Sequence, residues 1–550
     1  MLLFVRRMDD KRETFFVKHE RELGTLSLIA IVILNLVLQY YYINCVLDDP
    51  FISFRYADNL ASGKGLVFNP GEKVEGFSNP LWTIGFALLS LLGVSKHYFG
   101  LLIVSKILGA LSAVLSILFA YKLSIALDPG ERLNKYLHLL APLLLAICPY
   151  YALWAQGGLE SSFLSFLLII ACYHLVSAIN TDAKSMNTDE GAKIRSGHLL
   201  LSGLFFGLAS LTRPEIPLLF IVGFGYYIIV ARRWNIGEGG LISGIVVFLL
   251  LVGGYEVFRL AYYGDVFPNS YYAKTGGGWP QWLYGLVYLQ DGLRTLFGPV
   301  PFSILVFGPI FMKGKQALSH KLLFSVTFAY FLFIILAGGD WMVKFRFFAH
   351  ILPIMAVLIG TQIALFIGWL ASKVRSYNLV PVAAAIVMMV LITSSAVGAK
   401  QLRHAYYGLT GRASLEKGGR YYFINRSYLQ AGLFFREYVP QSAYVAIGEA
   451  GIVPYIGGFR VIDMFGLVDR HIAKIKGKRH FKFDADYVMG RQPDWFLILG
   501  TVEADGSFTS PFNYGTTLLE RKDFKELYGY VTHFDHLILF KRKDPGMNRG

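Results

Sequence analysis

The chain has 550 residues, of which 55% are hydrophobic and 16% charged, with mean hydropathy +0.48; soluble domains carry about 25% charge, so a water-soluble enzyme is excluded. Aromatic residues at 15% exclude disorder. The net charge of +15 is scattered between apolar runs instead of forming a basic arm, which argues against nucleic acid, and Cys45, Cys148 and Cys172 supply neither a CxxC motif nor a paired framework.

A spanning helix needs about 20 mostly apolar residues. Eleven such runs are read in chain order: 24 to 44, 99 to 121, 137 to 154, 160 to 179, 198 to 213, 216 to 231, 241 to 263, 298 to 312, 321 to 338, 349 to 371 and 379 to 398. The first follows Arg6, Arg7, Lys11, Arg12, Lys18 and Arg21 without a small-residue cleavage site, so it reads as an anchor with residues 1–23 in the cytoplasm. The same orientation places Lys184, Lys193 and Arg195, then Arg232 and Arg233, then Lys313, Lys315 and Lys321, and finally Lys373 and Arg375 inside. It requires the apolar stretch 81 to 93, after Asn79-Pro80, to lie as an interfacial or re-entrant helix. Residues 24–398 then form the membrane domain, with a first outer loop at 45–98, and residues 399–550 fall on the outer face. That last segment is polar, with short apolar runs at 443 to 447, 459 to 462, 494 to 499 and 536 to 540, and reads as a small α/β domain. It holds 22 Lys and Arg against 15 Asp and Glu, a surface suited to solvent or to anionic headgroups and phosphate.

Polar residues that sit badly in a membrane fall on the outer side. The first outer loop opens with Asp48-Asp49-Pro50 and continues through Gly65-Leu66-Val67-Phe68-Asn69-Pro70-Gly71 and Val74-Glu75-Gly76 to Asn79-Pro80-Leu81-Trp82. Two carboxylates at the mouth of a membrane helix are costly unless they bind something, and neighbours on extended chain point apart, so one can face a reaction centre while the other takes a partner. Later outer loops add Gly158-Leu159-Glu160, Thr212-Arg213-Pro214-Glu215, Pro268-Asn269 with Ala273-Lys274, Gly339-Asp340-Trp341 and Arg346-Phe347. Together they outline a polar cavity under the outer leaflet that suits a lipid tail, a phosphate and a sugar. Arg213, Arg346 and Lys274 are the candidates for phosphate, and Asp48 or Asp49 for deprotonating an acceptor hydroxyl as the lipid phosphate leaves. Glu75, Asn79, Trp82, Glu160, Asn269, Asp340 and Trp341 are the candidates for sugar contacts, with Trp82, Trp154 and Trp341 placed either on sugar faces or in an interfacial belt. The chemistry implied is glycosyl transfer. Outer carboxylates leave a divalent cation (Mg²⁺, Mn²⁺ or Ca²⁺) open, while His404, His471 and His480 form no HExxH and give no reason to expect zinc.

These strings resemble the GT-C superfamily of polyprenyl-phosphate-dependent glycosyltransferases, and among them the mycobacterial terminal arabinofuranosyltransferases. The likeness continues in the outer domain through Glu449-Ala450-Gly451, Pro454-Tyr455, Val461-Ile462-Asp463 and Gly466-Leu467 with Asp469-Arg470. It implies a GT-C fold of about eleven transmembrane helices with a C-terminal α/β domain outside a bacterial plasma membrane. It also implies transfer of D-arabinofuranose from a polyprenyl-phosphate donor to a cell-envelope glycan, with an essential Asp in the first loop, here Asp48 or Asp49. Relatives carry Asp-Ala-Gly and Gly-Leu-Asn-Asp where this chain has Glu449-Ala450-Gly451 and Gly466-Leu467-Val468-Asp469, a departure that bears on the acceptor. Two other readings stand beside it. A carrier or flippase for a lipid-linked sugar would show related halves and midplane charges, whereas no halves repeat here and the charges cluster on one face. A receptor or scaffold would bind glycan without chemistry.

Overall fold

The computed structural model describes residues 2–129, 133–181, 189–234, 236, 240–296, 302–340, 342, 344–374, 389–390, 393, 426–477 and 481–543. The run 379 to 398 and the expected domain boundary at 398 to 399 lie outside them, save for residues 389, 390 and 393. Fourteen helices come first: α1 (Leu2–Tyr41), α2 (Pro50–Ala61), α3 (Pro80–Leu91), α4 (Gly100–Ala126), α5 (Leu140–Ile147), α6 (Pro149–Gln156), α7 (Ser161–Asn180), α8 (Asp189–Ser210), α9 (Ile216–Trp234), α10 (Leu241–Tyr263), α11 (Asn269–Lys274), α12 (Gly278–Thr295), α13 (Ala317–Ala337) and α14 (Arg346–Val374).

Among the described residues seven helices are long and apolar enough to cross a membrane, and eight if α5 and its preceding 3-10 turn count with α6 as one span bent by 55°. The bend falls at Cys148-Pro149, where proline withholds a backbone N–H from the ladder. The run 198 to 213 is the second half of α8, whose first half carries Lys193 and Arg195. The run 298 to 312, expected as a span, is instead a short 3-10 helix (Phe302–Phe311) interrupted by Pro309. Gln281 near the start of α12 donates to Ala337 O at the end of α13, and Gly308 of the 3-10 helix packs on Gln362 of α14. Helix α3 has 12 residues, about 18 Å of helix, which is too short to cross a hydrocarbon core of about 30 Å.

Small residues bring the helices together, as they do where lipid removes the hydrophobic drive between them. A Cβ on Gly203 of α8 would lie 2.0 Å from the carbonyl oxygen of Gly244 on α10, and one on Gly109 of α4 would lie 2.2 Å from that of Ala155 on α6. Apolar faces stay bare around the bundle, for example Ile221, Ile229, Ile242, Leu250 and Val257, where lipid tails replace protein neighbours.

The C-terminal domain, expected to face outward and called the outer domain for that reason, begins among the described residues with α15 (Arg426–Tyr438) and is built on a five-stranded sheet: β1 (Tyr444–Ile447), β2 (Arg460–Asp463), β3 (Trp495–Leu499), β6 (Tyr528–Phe534) and β7 (Leu537–Arg542), in the order β2-β1-β3-β7-β6. A separate hairpin pairs β4 (Thr501–Val502) with β5 (Phe508–Thr509). Strands β1, β2 and β3 are parallel and β7 and β6 antiparallel, with Val445 opposite Val461 and Leu497 opposite Leu539. All five residues of β3 are buried, as expected of a central strand covered on both faces. The four apolar runs of the sequence become β1, β2, β3 and β7, whereas β6, polar on its exposed side, had no apolar run to mark it.

The first outer loop and the outer domain share one apolar core that includes Phe51, Phe54, Tyr56, Phe68, Val445, Val453 and Phe459. Arg55, buried in that seam, donates to Phe68 O (3.0 Å), Pro454 O (2.7 Å) and Phe459 O (2.5 Å). Asn69 imitates a strand edge: its amide donates to Val461 O at 2.8 Å and accepts from Val461 N at 3.0 Å. The loop is thereby held as a rigid floor beneath the sheet.

Candidate active site

The two adjacent aspartates part company in space. Asp48 turns to the outer domain, where its carboxylate accepts from the backbone N–H of Ile452 at 2.6 Å, at the start of α16 (Ile452–Gly457). The contact is so close that a Cβ on Gly451 would lie 2.2 Å from Asp48 O and 2.3 Å from its carboxylate. Burial pushes Asp48 up to about 7 against the pull of the Ile452 and Gly451 N–H groups, and the Asp49 charge adds to the rise. Glu449 is raised well above the usual carboxylate range by burial and by Asp48 and takes a hydrogen bond from Tyr428.

Asp49 turns the other way. It precedes α2 with helical backbone angles (φ −54°, ψ −37°), and Pro50 starts that helix without a side-chain cap, so the carboxylate is released from local structure. It is half-buried and, among the described residues, makes no hydrogen bond or ion pair. Burial raises it, Lys274 and Arg346 draw it down, and Asp340 and Glu160 push it up, with the balance above the usual value. Lys274, the last residue of α11, is likewise without an ion pair among the described residues. Burial and Arg346 lower its ammonium to about 8 against Asp49 and Asp340. A free carboxylate and a free ammonium therefore face the same space.

Each arginine beside them is held by acids. Arg213 Nη1 lies 3.4 Å from Glu160 Oε1 and its Nε 3.0 Å from Glu215 Oε1. Arg346 is bidentate on Asp340, at 2.6 and 3.1 Å. Asn79 orients Glu160 by donating to Oε2 at 2.8 Å, and its own oxygen accepts from Ser53 and Thr83. The two guanidinium carbons sit 5.7 and 5.8 Å from the ring centre of Phe347. Fork-shaped donors anchored in this way present their remaining N–H groups at fixed positions, which suits phosphate oxygens.

Asp49, Lys274, Arg346, Arg213, Glu160, Asp340 and Asn79 are thus brought together, whereas other sequence candidates are placed elsewhere. Glu75 is an anchor: Arg259 Nε (2.6 Å) and Tyr255 Oη (2.6 Å) of α10 occupy its two oxygens. Asn269 clamps the start of α11 to the outer domain by donating to Gly466 O (2.8 Å), Leu467 O (3.0 Å) and Asp469 O (3.2 Å). Trp82 is core, 4% exposed and packed on Phe86 and Phe163, so it offers no sugar face. Trp154 is buried and donates to Lys344 O. Trp341 lies outside the described residues. Among the described residues no three His, Cys, Asp or Glu gather to hold a metal ion.

Sequence reasoning missed Tyr330 and His350, which adjoin the arginines inside the bundle. The available signal was spacing, since His350 lies four residues after Arg346 and so on the same face of α14. A cavity of about 730 Å³ also opens on the seam, lined by Lys73, Asp469, Arg470, His471, Tyr487 and Arg491 among others.

In the outer domain, residues 419–548 match a family model described as a domain of unknown function, DUF8728. The chain is 26% identical over 343 residues to a terminal beta-(1->2)-arabinofuranosyltransferase of Corynebacterium glutamicum, covering 56% of this chain and 47% of the relative. It is 28% identical over 290 residues to the protein of the same name from Mycobacterium tuberculosis, covering 49% and 41%. The matches span less than half the length of these relatives. Among solved structures, ArnT from Cupriavidus metallidurans bound to undecaprenyl phosphate superposes with TM-score 0.57 at 14% identity, covering 94% of this chain and 98% of that one. AglB from Archaeoglobus fulgidus, an oligosaccharyltransferase in complex with an inhibitory peptide and a dolichol-phosphate, gives TM-score 0.53 at 13% identity, covering 87% and 69%. At such identities the likeness is one of fold, and the fold is that of the GT-C glycosyltransferases.

Proposed function

We propose that the chain is a glycosyltransferase of the bacterial plasma membrane that moves D-arabinofuranose from a polyprenyl-phosphate donor to a cell-envelope glycan. In this reading its N-terminus is cytoplasmic and its C-terminal domain lies outside. The observation that carries it is that Asp49 and Lys274, each without an ion pair among the described residues, act electrostatically on one another beside two carboxylate-anchored arginines. Lys274, Arg346 and Arg213 neutralise the donor phosphate and make it a leaving group. Asp49, its proton affinity raised by burial, takes the proton of the acceptor hydroxyl as that oxygen bonds to the anomeric carbon. The bond from that carbon to the phosphate oxygen breaks with its electron pair on the oxygen, releasing polyprenyl phosphate. Asp48 does not take part in proton transfer; it fixes the backbone that aims Asp49.

The sugar assignment is supported by the two arabinofuranosyltransferase relatives, and the lipid-phosphate donor by the lipid phosphates bound to ArnT and AglB. The seam cavity is assigned to the acceptor: His471 stacks on Tyr487 at 4.1 Å beside Asp469 and Arg491, an aromatic and polar mixture that fits a glycan. The test is transfer of labelled arabinofuranose from its polyprenyl-phosphate donor to an arabinan acceptor by the full chain in detergent. Asp49→Asn abolishes transfer while Asp48→Asn keeps a measurable rate. Equal activity of Asp49→Asn and wild type overturns the assignment, and movement of intact donor across a vesicle membrane without transfer favours a flippase.

A further inference from the structure

His350 is completely buried, and its two ring nitrogens are treated differently. Nδ1 lies 2.5 Å from the hydroxyl of Tyr330, whereas Nε2, equally inaccessible, has no hydrogen-bond partner. A buried polar nitrogen without a partner is destabilising, so it is retained where something else satisfies it. Its position says what that is. His350 is four residues from Arg346 on the same face of α14, and its ring centre is 6.1 Å from that of Phe347, the ring flanked by the guanidiniums of Arg213 and Arg346. Arg346 is the first residue of the 29-residue α14, so the positive end of that helix dipole adds to the potential of the same space.

The tautomer follows from the neighbours. Guanidiniums only donate, and a bare lone pair on Nε2 would attract one of their N–H groups, yet the assigned N–H groups of both forks go to Glu160, Glu215 and Asp340. With the Tyr330 hydroxyl donating to Nδ1, the imidazole proton sits on Nε2 and points as a donor into a region of positive potential. A neutral donor among cations is complementary to an anion with several oxygens.

We propose that the Tyr330–His350 pair extends the phosphate cradle, with His350 Nε2–H donating to a phosphate oxygen and Tyr330 acting as the positioning residue that fixes its tautomer. This rests on the reading of the site as one for a phosphate-linked sugar donor. It adds a contact below the arginines, deeper in the membrane than Lys274, and makes the pocket favour a lipid-borne phosphate that reaches that depth, a diester in the donor and a monoester in the released lipid, over free phosphate.

Binding of undecaprenyl phosphate to the full chain in detergent, with inorganic phosphate in parallel, tests it. His350→Phe weakens the lipid phosphate about tenfold, the size of one lost hydrogen bond to a charged group. His350→Gln, which restores an N–H donor, recovers most of the loss, and Tyr330→Phe weakens binding in the same direction by less. In turnover the loss falls on the donor KM and spares kcat. Inorganic phosphate binding as tightly as the lipid overturns the claimed depth selectivity. Unchanged lipid affinity in His350→Phe overturns the proposal even where its melting temperature falls, because a purely structural histidine gives that result, while the transferase reading survives. A wild-type chain that binds no undecaprenyl phosphate overturns that reading and this inference together.

Discussion

Gly451→Ala isolates the contact that aims Asp49, the proposed base. In the structure a Cβ at this position falls 2.2 Å from Asp48 O and 2.3 Å from its carboxylate. An ordinary carbon–oxygen contact is well above 3 Å, so Asp48 or the strand-to-helix turn must retreat by about 1 Å. Both directions of retreat stretch the 2.6 Å bond from Ile452 N–H to Asp48, and losing it leaves a buried donor unpaired at a cost of about 1–3 kcal/mol. Asp49 is the next residue along the chain, and a misplacement of about 1 Å at a reacting group lowers rate by about 10²-fold. The expected result is a folded protein with a melting temperature a few degrees lower, unchanged donor affinity and transfer reduced about a hundredfold in kcat. The assay is labelled-sugar transfer at saturating donor, with undecaprenyl phosphate binding as the control. A Gly451→Ala rate within twofold of wild type refutes the argument that Asp48 and the outer domain aim Asp49.

Lys274 titrates near 8 because burial and Arg346 depress it. Donor KM therefore rises as pH climbs through about 8 and the ammonium is lost, and Lys274→Arg, which stays charged, flattens that rise; a pH-independent wild-type KM contradicts it. Arg259→Met strands Glu75 as an unpaired buried carboxylate, with an expected loss of about 3–5 kcal/mol. The double variant Glu75→Gln with Arg259→Met recovers part of it, as thermal unfolding in detergent measures. Gly203→Ala places a methyl 2.0 Å from Gly244 O and separates α8 from α10, so its melting temperature falls while Gly253→Ala, open to space within 4 Å, leaves it unchanged.

The helices legible in the sequence are those long and apolar enough to span on their own, such as α4, α7, α13 and α14. The misread run 298 to 312 is as apolar as any of them, and hydropathy does not register the 3-10 geometry and the internal Pro309 that keep Phe302–Phe311 short. Composition likewise exposed the acid and base loops, because charge at membrane depth is expensive wherever it sits. It did not divide the labour between Asp48 and Asp49, since that depends on Ile452, some four hundred residues away. Trp82 illustrates the opposite error: an aromatic beside Asn79-Pro80 has the look of a ligand contact, yet Phe86 and Phe163 enclose it. His350 stayed hidden for the plainest reason. Its one local mark is the four-residue spacing from Arg346 on α14, and only Tyr330 and Arg213, from other parts of the chain, give that spacing a role.

The bond from Arg55 to Pro454 O joins residues 399 apart. The first outer loop therefore leaves the ribosome long before the backbone that completes it exists. Through nearly all of synthesis Arg55 and Asn69 have no carbonyl of the outer domain to bind, and Asp49 is not yet aimed. The loop matures only when the last domain closes on it. A chain cut short after its last span but before residue 454 thus keeps its membrane helices without the backbone that engages Arg55, so on the proposed reading an incomplete product inserted in the membrane is inert.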